Sequence, residues 1–154
     1  MTSKLAEYIV KDAIILDADV SSAEEIIRAL SKNLMAAGYV RSTFADAAMS
    51  RERSIPTGLP LGGTINAAIP HTDIEHVLKA GVGMATLRKP VIFQNMISPE
   101  ESVEVRLVFI LALDQPKSQI EMLQEVAGVI QDPQLVMDLV NAKTIDEVMT
   151  ALKG

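Results

Sequence analysis

The 154-residue chain contains no cysteine and no tryptophan. The missing thiol excludes disulfides, thiolate metal sites and a cysteine nucleophile. Aromatic residues are scarce, 3% of the chain against 49% apolar residues overall, so the core must be aliphatic: Val, Ile, Leu, Ala and Met. Basic residues are in deficit, 14 Lys and Arg against 20 Asp and Glu, for a net charge of −6. A nucleic-acid binder needs a basic stripe, and an electrostatic binder of membrane surfaces a basic face, so neither class fits. A long apolar run is also missing. The longest, VRLVFILAL from Val105 to Leu113, is far short of the about 20 residues that span a bilayer. The N-terminal stretch MTSKLAEYIVKDAIILDADV has no apolar core long enough for a signal peptide and no small-residue cleavage site. The expectation is one soluble, cytoplasmic domain over residues 1–154, without membrane insertion.

Strand and helix signals alternate along the chain. AIILDA, from Ala13 to Ala18, reads as a strand. The helix after it carries capping-box spacing at Ser21/Glu24 or Ser22/Glu25, an apolar face of Ile26, Ile27, Leu30, Leu34 and Met35, and a stop at Gly38. A second helix is expected over Thr43–Arg53, capped by Thr43 and Asp46. SIPTGLPLGG (Ser54–Gly63) packs two prolines and three glycines into ten residues and reads as a loop. TINAAI reads as a short buried strand ended by Pro70, GVGMATL as a strand whose glycines mark a bulge or a close approach, and PVIF as another short strand. VEVRLVFILAL is the strongest strand signal, and its continuous apolar half implies cover on both faces. The last third is helical. SQIEMLQEVAGVIQD presents Ile120, Leu123, Val126, Ala127 and Ile130 on one side, Pro133 opens a helix to about Asn141, and Thr144/Glu147 cap the last. The interleaving predicts an α/β fold, a single central mixed sheet flanked by helices on both faces.

Candidate chemistry narrows quickly. The two histidines, His71 and His76, are five residues apart, which does not place them on one helix face, and no thiol completes a metal site. GLPLGG lacks the phosphate-loop pattern, and no GxSxG elbow is present. His76, in DIEHVLKAG, sits in a polar context that suits a surface residue. His71 follows the apolar run AAIP, which delivers it to the rim of a sheet, where α/β folds commonly bind ligands. By position alone His71 is a nucleophile or base candidate, or a structural histidine.

The segment AAIPHTD resembles the active-site signature of enzyme IIA domains of the bacterial phosphoenolpyruvate-dependent sugar phosphotransferase system, fructose/mannitol type. AMSRERSIPT is similar to the family's segment with an arginine, a glutamate and a later threonine, and VRLVFILALDQPKSQIEMLQEVAGVIQD to its buried strand, loop and helix. The closing DPQLVMDLVNAKTIDEVMTAL also matches, so the resemblance covers nearly the whole chain in order. It implies a phosphohistidine carrier with no cofactor, which accepts phosphate from the phosphocarrier HPr. The phosphate then passes to a cysteine of enzyme IIB, and membrane enzyme IIC imports the sugar. By this resemblance His71 is the phosphorylated residue, Arg51 the arginine that stabilises the phosphoryl group, and Thr57 a supporting loop residue. Gln119 stands where the family often has a second histidine; it can donate a neutral hydrogen bond to a phosphoryl oxygen but cannot become a cation. The PTGLP wording and the longer loop between Arg51 and His71 look more like the galactitol branch. The alternative reading is a nitrogen-type regulatory IIA that acts through protein binding.

Overall fold

The computed structural model describes residues 4–154. Strand β1 (Ile9–Ala18) follows a single turn of helix, α1 (Leu5–Tyr8). Helices α2 (Ala23–Ala36) and α3 (Phe44–Ser54) come next, then the short strands β2 (Gly58–Leu59) and β3 (Asn66–Ala68). A 3-10 turn (Ile74–His76) leads into the long strands β4 (Gly81–Gln94) and β5 (Ser102–Ala112). Helices α4 (Pro116–Ile130), α5 (Pro133–Asn141) and α6 (Ile145–Lys153) close the chain. The strands form one mixed sheet in the order β1-β4-β5-β3-β2. β1 and β4 run parallel, as do β3 and β5, while β4/β5 and β2/β3 are antiparallel.

The continuous apolar run of β5 has its reason here. Leu107, Phe109 and Leu111 point to one side, into a core with α1, α4, α5 and α6. Val108, Ile110 and Ala112 point to the other, into a core with α2 and α3. Period-2 alternation between two covered faces makes every residue apolar.

Several local expectations are corrected. GVGMATL and PVIF belong to one strand, β4, with the register shift falling between Thr86 and Val91, where Pro90 has no N–H to give the ladder. Of the two readings of the glycines that open β4, bulge or close approach, the structure shows close approach: a Cβ on Gly83 would meet Ile110 Cγ2 at 2.8 Å. The Ser54–Gly63 loop contains strand β2, and Gly58 is required there because a Cβ would lie 2.6 Å from the Gln94 carbonyl. Ser22, of the two serines, caps α2 by accepting from the Glu25 N–H. Met35 is 44% exposed, outside the buried stripe of that helix. Thr43 makes no side-chain cap for α3. On α4 the buried stripe is Met122, Val126, Val129 and Ile130, and Ile120 is 63% exposed. Adjacent stripes both satisfy a 3.6-residue period, so only the position of the sheet selects between them.

Candidate active site

His71 lies just beyond β3, at the end of the sheet where β3 and β5 both finish. Its backbone bridges Leu111 of β5, and the Leu111 N–H donates to the Pro70 carbonyl at 3.0 Å. Two apolar strand ends therefore fix the backbone on both sides of the ring. The residue is 9% exposed. Its Nδ1 lies 2.9 Å from the Ile69 carbonyl. A carbonyl only accepts, so Nδ1 carries the proton and Nε2 keeps the lone pair. Burial is the main influence on the ring and pushes its pKa below the ordinary value; the Ile69 carbonyl pulls it up, the Arg51 charge pushes it down and Asp73 pulls it up. The neutral form with an available Nε2 is therefore the form present near neutral pH.

Ile69 is itself held. Its N–H donates to the Thr57 carbonyl at 3.3 Å. Thr57, 1% exposed, donates from its N–H and its hydroxyl to the two carboxyl oxygens of Glu52, at 2.8 and 2.7 Å. Glu52 is buried on α3, and that burial raises its carboxyl pKa above the usual range while the Thr57 bonds lower it. A relay of hydrogen bonds thus runs from α3 through the loop to the imidazole. Thr57 serves the site from behind, through backbone, with its side chain sealed in the core.

Arg51, in the last turn of α3 one residue before Glu52, is close enough to His71 for its charge to act on the ring. Its Nη1 donates to Asp73 Oδ1 at 3.5 Å, a long contact. Its Nε is buried and has no hydrogen-bond partner among the described residues. Gln119 sits in the first turn of α4, which begins just past the end of β5 that His71 abuts. It is half-buried, and its N–H already donates to the Gln115 carbonyl. The free amides at this helix end therefore belong to Lys117 and Ser118. Ile55, just after α3, and Ile74, three residues past His71, are 51% and 40% exposed, while Met49 is buried in the core. His76 is apart: its Nδ1 is 2.8 Å from the Thr43 hydroxyl, and its carbonyl accepts from the Arg41 N–H. It ties the 3-10 turn to the start of α3.

A profile described as "Phosphoenolpyruvate-dependent sugar phosphotransferase system, EIIA 2" matches residues 7–154. The chain belongs to this EIIA family. Among curated relatives, it is 31% identical to the 2-O-alpha-mannosyl-D-glycerate-specific EIIABC component of Escherichia coli K12 over 147 residues, covering 92% of this chain and 21% of that protein. It is 28% identical to the galactitol-specific EIIA component of the same strain over 116 residues, covering 75% of this chain and 76% of the other. The chain thus spans about a fifth of one relative and three quarters of the other. A solved Escherichia coli complex of enzyme IIA(mannitol) with phosphorylated enzyme IIB(mannitol) contains the same fold, with a TM-score of 0.77 at 26% identity over 94% of this chain and 96% of that one. The EIIA chain is accordingly a phosphotransferase component, and the expected α/β architecture is the one observed. Among its described residues no helix is long and apolar enough to cross a membrane.

Sequence reasoning missed Glu52, Asp73 and the Ile69 carbonyl. The adjacency of Arg51 and Glu52 and of His71 and Asp73 was visible; that Glu52 anchors Thr57 while Arg51 reaches Asp73 was not.

Proposed function

We propose that His71 Nε2 is the phosphoryl acceptor of this EIIA chain. One observation carries the reading: Nδ1 is committed to the Ile69 carbonyl, which leaves Nε2 as an unprotonated nucleophile beside an arginine with an unpaired donor. In the first transfer the Nε2 lone pair forms an N–P bond with the phosphoryl group of phospho-HPr. The N–P bond of the donor breaks, and its electron pair stays on the donor's imidazole. In the second transfer a cysteine thiolate of enzyme IIB forms an S–P bond, and the electron pair returns to Nε2. Phosphoryl transfer asks mainly for positioning and charge stabilisation. Arg51 supplies the charge and a fork of donors. Gln119 and the amides of Lys117 and Ser118 supply neutral donors. Ile55 and Ile74 form an apolar rim for brief docking of both partners. The reading places the chain in the cytoplasm as one EIIA domain, feeding the uptake of a galactitol-like sugar alcohol through enzyme IIC. It draws support from the galactitol relative and from the loop wording around Pro56–Pro60.

The test is phosphorylation with phosphoenolpyruvate, enzyme I and HPr, followed by transfer to enzyme IIB. Acid-labile phosphate should form on the wild type and on His76→Ala, and not on His71→Ala. Label retained by His71→Ala sinks the assignment. Phosphate that forms but never reaches an enzyme IIB cysteine favours the regulatory reading over transport.

A further inference from the structure

Arg51 is held unevenly. One nitrogen, Nε, is buried and donates to no atom of the described residues, while Nη1 reaches Asp73 at 3.5 Å, the outer limit of a hydrogen bond. The Asp73 side chain is 68% exposed, two residues past His71, on the same loop. A buried donor without an acceptor is a cost that an incoming acceptor relieves. A phosphoryl group on Nε2 brings about two negative charges and three acceptor oxygens. Those oxygens and the Asp73 carboxylate compete for one guanidinium, and they repel each other as like charges. Asp73 also opposes Arg51 in its action on the His71 ring.

We propose that Asp73 is a positioning residue that draws Arg51 toward itself and destabilises the phosphorylated state, so that the phosphoryl group stays transferable. The inference rests on His71 being the phosphoryl carrier. A carrier must not become a trap. Full, unopposed engagement by Arg51 would stabilise the N–P state and slow its release to the next acceptor. A carboxylate on the same loop sets that stabilisation back without touching the nucleophile, whose tautomer is held from the opposite side by Ile69.

The sign of this effect distinguishes it from a purely supportive role. If Asp73 merely aimed Arg51 at the phosphate, its loss would weaken the phosphorylated state; if it competes, its loss strengthens that state. The experiment uses Asp73→Asn, isosteric and neutral, with Asp73→Glu as the conservative control. Each protein is brought to equilibrium with phospho-HPr, and the ratio of phospho-EIIA to phospho-HPr is read by 31P NMR, together with the hydrolysis rate of the isolated phosphoprotein. Asp73→Asn should shift the ratio toward phospho-EIIA by on the order of 5-fold and slow hydrolysis, as suits one exposed charge at short range. Asp73→Glu should return the ratio toward wild type, and added salt should shrink the difference. An unchanged ratio, or a shift toward phospho-HPr, overturns the role of Asp73. A wild type that takes no phosphate on His71 overturns the functional reading and this inference together. A phosphorylated wild type with an unmoved Asp73→Asn ratio overturns only the inference.

Discussion

Replacing Glu52 by alanine removes both acceptors of the Thr57 N–H and hydroxyl in a place where water does not reach, since Thr57 is 1% exposed. An unsatisfied buried donor costs about 1–3 kcal/mol. For a chain of this size each donor so stranded lowers the thermal midpoint by roughly 2–12 °C. Glutamine is the control. Its oxygen accepts from the Thr57 N–H, its amide donates to the Thr57 hydroxyl, and no ionisable group remains beside Thr57. Glu52→Gln should stay within about 1 kcal/mol of wild type, the worth of one neutral hydrogen bond. The pH dependence adds a sign. Burial raises the folded carboxyl pKa above its ordinary value of 4.5. The stability that Glu52 contributes is therefore fully present below 4.5 and is lost as pH rises through the raised pKa. Wild type should fall behind Glu52→Gln as pH climbs toward neutrality. Calorimetric unfolding of the three proteins across that range reads all of this. A Glu52→Ala protein as stable as wild type, or a Glu52→Gln protein as damaged as the alanine variant, would refute the relay.

Four further outcomes are expected. Burial places the His71 pKa below 6.5, so the ring stays neutral as pH falls past 6.5, and phosphorylation rate should hold there and drop only through the lowered pKa; a rate that halves at 6.5 in a stopped-flow pH series contradicts the burial argument. The same shift makes folding stability fully present above 6.5 and lost as pH falls through the folded value. Arg51→Ala should slow phosphoryl acceptance by about 100-fold, as for loss of one preorganised charge-stabilising group, and Arg51→Lys should not restore it because lysine has no Nε in a planar fork; single-turnover kinetics with phospho-HPr measures both. Gln119→Ala should cost less than about 10-fold in the same assay, since it deletes one neutral donor, and a larger loss would give Gln119 a greater part than its neutral donor can explain.

Much of this protein was legible along the chain because it depends on local order. Apolar periodicity marked β5 and α2, the Thr144/Glu147 spacing marked the α6 cap seen as a 3.1 Å bond, and the apolar run before His71 delivered it to a strand end. The motif around His71 and Arg51 reached the family because its residues sit at characteristic spacings. What the chain could not display was geometry between segments. Which stripe of α4 is buried depends on where the sheet lies, so Ile120 ended outside. The glycines of β4 and β2 are required by strands and side chains remote in sequence. Glu52 reads as a surface helix charge until α3 is laid against the loop, where Thr57 claims both its oxygens. His76 reads as a free surface residue until Thr43 is brought to its ring. Composition, periodicity and motif spacing are properties of neighbours in sequence, and they determined the fold class and the nucleophile candidate. The tautomer of His71, the unpaired Nε of Arg51 and the pull of Asp73 come from contacts between segments, and only the folded chain decides those.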